Sequence, residues 1–187
     1  MIDAIAGGKG DFMVQKSLCF QKAELERFFH CCTSAPAENN PNCFVKNEIK
    51  SVVLSNFSAT GARYFIVGKI LGRVKQAESG NLDAEGDDDP VQRIASQPDI
   101  WEIRWNIKDI PLRLYYAEDL GRKPEFVALS FTRKWTDGTA EEIRKRQNED
   151  AKVAQDRFEN CSVFRWGHDK GHKRCKYCFN DKTGEWL

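Results

Sequence analysis

The chain has 187 residues, 41% of them hydrophobic and 30% charged, with 29 Lys+Arg against 28 Asp+Glu; this is the composition of a soluble protein of one domain or one domain with appendages, long enough to bury a core. The near-zero net charge excludes a histone-like polycation and leaves room only for a local basic site. No run approaches the roughly 18 to 20 apolar residues of a membrane helix, so no membrane partner is expected, and residues 1–10 lack the basic and apolar regions of a secretory signal, which makes the cytoplasm the expected location.

In chain order, Leu25, Phe28, Phe29 and Cys32 fall at i, i+3, i+4 and i+7. That spacing predicts a short amphipathic helix over residues 22–32, inside a weakly structured extension. Residues 33–42 read as a loop, and the β-branched run Ile49–Leu54 reads as a strand. From Ser58 to Gln76, Tyr64, Val67, Leu71 and Val74 share one helical face with Ile70 beside it, which predicts a long helix. Charge is unevenly placed here: residues 49–77 carry five bases and no acid, whereas residues 78–90 carry six acids and no base. The acidic stretch reads as a solvated loop, or alternatively as an electrostatic cover for the basic helix.

Trp101, Ile103, Trp105 and Ile107 then alternate with Glu102, Arg104, Asn106 and Lys108, the period-2 signature of a half-buried strand. Leu112, Leu114 and Tyr116 alternate with Arg113 and Tyr115, and Val127, Leu129 and Phe131 follow in a third run. Three antiparallel strands are predicted, with Trp101, Trp105 and Tyr116 in the core. Thr139 and Glu142 have the form of a capping box, opening a helix with Ala140, Ile143, Gln147, Ala151, Ala154 and Phe158 along one face.

The seven cysteines are an odd number in a chain without an export signal, which favours reduced thiols or a metal site over a disulfide framework. In the tail, Cys175 and Cys178 have the C-x-x-C spacing that lets two thiolates reach one tetrahedral zinc, and Cys161 with His168 or His172 completes a four-ligand set. A structural zinc held by Cys161, His172, Cys175 and Cys178, free thiols, and a redox pair all remain open. His30, Cys31, Cys32 and Cys43 form a looser cluster better read as core packing.

The order of Trp101-Glu-Ile-Arg104, Leu112-Arg-Leu-Tyr115, the apolar run Phe126–Phe131, the pair Arg133-Lys134 and Glu141-Glu-Ile-Arg144 resembles the RelE/HigB/ParE toxin superfamily, and most of all its HigB-type, phage Gp49-related branch. The resemblance covers about residues 49–158 and is tightest over 100–146. It implies an α+β fold with a curved, antiparallel-rich sheet and packed helices. The chain then divides into an N-terminal helical extension (1–45), a toxin-like domain (46–158, with the acidic loop 78–90) and a basic Cys/His tail (159–187). It also implies a metal-independent mRNA endoribonuclease of a type II toxin-antitoxin system, with a cognate antitoxin, mRNA and in some members the ribosome as partners, and no cofactor for catalysis.

The residues point to the same face of the sheet. If the aromatic side is buried, Arg104, Lys108, Arg113 and Tyr115 project from the other side, and Arg133 and Lys134 end the third strand. Attack of a 2′-hydroxyl on phosphorus needs a base, cations for the developing charge and a proton donor for the leaving oxygen. Arg104, Arg113, Tyr115 and Lys134 are the candidate catalytic residues, and Lys108, Arg133 and Arg144 the candidate RNA-binding ones. No histidine lies between His30 and His168, so the general base is unassigned. Arg104 and Arg113 pairing with Glu102, Glu118 or Asp119 on a solvated sheet is the plainer alternative. Two further readings are a non-catalytic binding protein on the same scaffold, gyrase-directed or specific for a nucleic acid or other partner, and a relative that has kept the fold and lost the chemistry.

Overall fold

The alternating runs from Ile100 to Phe131 fold as an antiparallel meander in the computed structural model, which describes residues 16–22, 27–32, 43–82, 89–119, 125–167 and 179. Strands β1 (Phe29–Cys31), β2 (Val91–Arg93), β3 (Ile100–Ile107), β4 (Ile110–Asp119) and β5 (Glu125–Arg133) form one sheet in the order β1-β5-β4-β3-β2. Only β1 runs parallel to its neighbour, β5. Helices α1 (Phe44–Asn56) and α2 (Thr60–Ser79) precede the meander and α3 (Ala140–Cys161) follows it. The class is α+β with a mixed five-stranded sheet. No helix among the described residues is long and apolar enough to cross a membrane.

Strand alternation sends the aromatic residues one way. Trp101, Ile103, Trp105, Leu112, Leu114, Tyr116 and Phe131 share a core with Val45, Ile49 and Val53 of α1 and Ile66, Ile70 and Val74 of α2. The opposite face supplies Ile100, Tyr115, Ala117, Val127 and Leu129, which meet Ala151 and Ala154 of α3. A bulge lets Tyr115 pair with Ser130 while Tyr116 pairs with Ala128, so Leu129 is the extra residue on β5. The Thr139–Glu142 capping box that opens α3 is formed in both directions.

Three expectations change. Phe29–Cys31 is a strand, where a helix over 22–32 is predicted; residues 23–26 lie outside the described set. All three residues of β1 are buried, because α1 packs on one side and the α3-side core holds Cys32 next to it. A strand covered on both faces shows no polar alternation to read. The N-terminal segment thus shares the main core through Cys19, Phe29 and Cys31. Ile49–Leu54 is helical, since Val45, Ile49 and Val53 recur every four residues and only the short window looks like a strand. In α2 the buried face is centred on Ile66, Ile70, Val74 and Ala77, and Tyr64 turns outward.

Gly80 ends α2 in the left-handed region (φ 69°), where a Cβ would collide with the carbonyl of Gln21. Ser17 and Leu18 of that N-terminal segment bond the Glu118 carboxylate on β4, at 2.6 and 3.0 Å. Burial pushes the Glu118 carboxyl above its ordinary value, with these bonds opposing. The segment is therefore anchored by a buried polar network that includes the Tyr116 hydroxyl, 2.9 Å from Ser17 Oγ.

Candidate functional site

Beta strands β3 and β4 are joined by a two-residue turn, Lys108 and Asp109, both at positive φ (52° and 62°), the geometry of a tight type I′ hairpin. This turn fixes the register, which sets Arg104 directly opposite Arg113 and Glu102 opposite Tyr115. Like charges directly opposed across a ladder repel. Glu102 answers that repulsion: Arg104 Nε donates to its Oε1 at 2.5 Å, and Arg113 Nε lies 3.5 Å from its Oε2. The Glu102 side chain is only 9% exposed, against 12% for Arg113 and 30% for Arg104, so the carboxylate lies beneath the guanidinium groups.

Lys134 follows β5 and keeps the ladder going, its N–H donating to the carbonyl of Pro111 at 2.8 Å. Its ammonium is held below the ordinary lysine range by partial burial first and then by Arg113, with Glu102 opposing and Arg104 adding to the effect. Three cations thus surround one carboxylate at one end of the sheet. The surplus positive charge, with planar guanidinium donors, suits an anion with several oxygens, such as a phosphodiester.

Strand β2 is short and pairs only as far as Ile103, so among the described residues no strand lies along that edge of β3 beyond Ile103. There the Arg104 N–H donates to Pro90 O at 2.9 Å, and Arg73 of α2 bonds the Arg104 carbonyl through Nη1. Two clefts open along this edge. One, of about 390 Å³, is lined by Arg73, Asp89, Arg104, Arg113 and Lys134 among others. The second, of about 530 Å³, runs between α2 and the hairpin turn, past Phe65, Lys69 and Lys108. They share Arg73, Trp105 and Asn106. Among the described residues of the two linings there are six cations and a single acid, Asp89, and with Glu102 beneath Arg104 and Arg113 the balance is still positive in a chain that is nearly neutral.

The expected site residues therefore separate. Arg104, Arg113 and Lys134 come together. Tyr115 departs from the expectation of a phenol on the open polar face: it is 2% exposed, packed with Leu129 and Ala151 under α3. Burial, with the Glu102 and Asp150 carboxylates nearby, pushes its phenol well above the ordinary value of 10, so it stays neutral. Lys108 stands in the turn and lines the α2-side cleft, not the Arg104 side. Arg133 reaches the other way and donates to Asn56 of α1 at 2.9 Å. Arg144 is exposed on α3.

The pairing of Arg104 and Arg113 with Glu102, the plainer alternative offered by the sequence, is formed, on a nearly buried carboxylate and not on a solvated sheet; the place of Glu102 between two opposed arginines depends on the register. Asp150 of α3 carried no sequence signal. Its carboxyl is pushed up to about 6 by burial first and by Glu149 and Glu48, with Arg146 opposing.

Cys161 ends α3 buried against Cys32, whose thiol is pushed far up by burial and by that neighbour. His30, Cys31, Cys32 and Cys43 are all buried in the fold, and Cys43 Sγ caps α1 by accepting from the Lys46 N–H. No group of three or more His, Cys, Asp or Glu side chains among the described residues is placed to hold a metal. His168, His172, Cys175 and Cys178 lie outside the described residues, as do residues 83–88 of the acidic loop. Comparison with protein-family models, curated proteins and solved structures finds no match to this chain.

Proposed function

We propose that the protein is a metal-independent endoribonuclease of the toxin type, on a RelE/HigB-like fold, acting on single-stranded RNA at the open end of β3 and β4. The observation that carries this reading is Glu102 held between Arg104 and Arg113 with Lys134 beside them. In the proposed reaction Glu102 accepts the proton of a ribose 2′-hydroxyl, and the 2′-oxygen attacks the adjacent phosphorus. Arg104 and Arg113 stabilise the added negative charge on the phosphorane oxygens. Lys134 donates a proton to the departing 5′-oxygen, leaving a 2′,3′-cyclic phosphate and a free 5′-hydroxyl; the lowered lysine pKa suits it to that role. The reading asks of the structure only an α+β class with paired helices, an antiparallel meander and a charged closing helix, and a cognate antitoxin with mRNA, free or on the ribosome, are the partners it carries.

Purified protein in EDTA should cut an RNA, and a DNA oligonucleotide containing one ribonucleotide only at that residue. Inducible expression should yield discrete transcript ends by primer extension, absent with Glu102→Gln. An RNA that survives intact in both assays rejects the reading.

One observation favours a second reading. The Glu102 carboxylate is buried beneath its two arginines, which suits a non-catalytic RNA-binding protein whose ion pairs hold the cationic surface rigid. RNA bound without cleavage selects it.

A further inference from the structure

The cleft between α2 and the β3–β4 turn has no part in the proposed bond cleavage, yet its lining is specialised in charge, in an exposed aromatic ring, in its glycines and in its turn. Lys69, Arg73 and Lys108 contribute cations and none of the described lining residues is acidic. Phe65 stands 52% exposed at its wall, with the Lys69 ammonium 5.8 Å from the ring centre.

Gly68 and Gly72 form part of the α2 wall. A Cβ built on either meets no described residue within 4 Å, so none of the described neighbours requires glycine there. Glycine in a helix interior is unfavourable, and its value at such a site is to let a ligand approach the helix backbone closely. Lys108, finally, is held at a φ of 52° in a two-residue turn, where Asn or Gly is the relaxed choice. A lysine kept there places a cation at the mouth of the cleft against its backbone preference.

We infer that this cleft is a second polynucleotide subsite, seating a nucleotide that flanks the phosphodiester bound by Arg104, Arg113 and Lys134. A base stacks on Phe65 close against Gly68 and Gly72, and backbone phosphates lie on Lys69 and Lys108. The strand passes the open edge of β3 at Arg73, which lines both clefts. Stacking on an exposed aromatic ring beside cations is the recognised chemistry of sequence-tolerant single-strand binding. The inference rests on the reading of the neighbouring site as an RNA phosphate seat, and it does not require that site to cut.

The test uses the full chain, a fluorescent 2′-O-methyl oligoribonucleotide of about twelve nucleotides, which binds without being cleaved, and a dinucleoside monophosphate, which spans the phosphate seat alone. Lys108→Asn removes the charge and relaxes the turn; Gly72→Leu fills the cleft without changing charge and improves helix propensity. Each should raise the oligonucleotide Kd about tenfold while dinucleotide cleavage and thermal midpoint hold or improve. Lys108→Asn should also lower the salt slope of binding by about one unit, and Gly72→Leu should leave it unchanged. Unchanged Kd in both variants, with the parent chain binding well, overturns the subsite and leaves the ribonuclease reading intact. Weakened binding in both variants with no RNA cut by the parent chain upholds the subsite and removes the ribonuclease. No oligonucleotide binding by the parent chain overturns the subsite whatever the dinucleotide does.

Discussion

The two edges of the sheet meet the same problem in different ways. At β5, beyond the end of β1, the Phe131 N–H donates to Glu48 of α1 at 2.8 Å and the Leu129 carbonyl accepts from Arg157 of α3 at 2.6 Å. Glu48 and Arg157 are themselves paired at 2.7 Å, so the edge is sealed by two side chains of balanced charge from opposite layers. At β3, beyond the end of β2, Arg73 and the Pro90 carbonyl close the backbone, but the charged side chains described there are mostly cations, lining two open clefts. An edge needs its polar groups satisfied in either case. Among the described residues the excess of cations over acids lies at β3, and an excess of charge in a cleft is what a binding site requires and a structural seal does not.

The sharpest way to break this contrast is to perturb each edge and compare readouts. Arg113→Ala should lower RNA cleavage by about 100-fold or more with only a small change in thermal midpoint, since it removes a donor to the developing phosphorane charge. A fully active Arg113→Ala protein would remove the proposed chemistry from this edge. Glu48→Ala should do the reverse, costing about 2 kcal/mol by denaturant unfolding because it strands the Phe131 N–H and leaves Arg157 unpaired, while RNA binding holds. Equal loss of binding in both variants would erase the distinction between seal and site.

Asp150 sharpens the comparison through pH. It faces Glu48 and Glu149, with Arg146 opposing, and Tyr115 lies across from it on the sheet. Its folded value of about 6 lies above the ordinary aspartate value of 3.8, so the protonated form favours the folded state. The stability it lends is complete below 3.8 and is lost as pH rises through about 6. Asp150→Asn should therefore stabilise the protein by about 1 kcal/mol near pH 8, after allowance for solvent screening, and by almost nothing near pH 4. The smallest expected effect is in α2, where Gly68→Ala should add about 0.5 kcal/mol, measured by the same unfolding curves, as a Cβ there meets none of the described residues.

Cleavage should carry its own pH signature. With Lys134 as proton donor, kcat/KM falls as pH rises through the pKa of the free enzyme's lysine. That value lies below the ordinary 10.5, so the alkaline limb should begin earlier than for an exposed lysine and move in Lys134→Arg.

Much of the architecture could be read locally. The meander was legible because one face of β3 and β4 meets an aromatic core and the other is partly polar, which writes a period of two into the chain. The α3 start was legible because capping chemistry is contained within four residues, Thr139 to Glu142. The failures share a cause. Phe29–Cys31 lies under both layers and so lost the polar alternation of a strand, and the Ile49–Leu54 run looked extended until Val45, Ile49 and Val53 were packed together on the sheet.

For the site, side-chain chemistry and alternation together with the family resemblance selected Arg104, Arg113 and Lys134, along with Tyr115, Lys108, Arg133 and Arg144. Only tertiary structure decided that Glu102 bridges opposed arginines, that Tyr115 lies beneath α3, and that Lys108 and Arg133 turn to the other side. The physical reason is the range of the information. A period of two or of 3.6 is set by the geometry of one segment and is written in its own residues. Burial, cross-strand register and the uncovered edge of β3 depend on which distant segments pack where, and no short stretch of this chain encodes them.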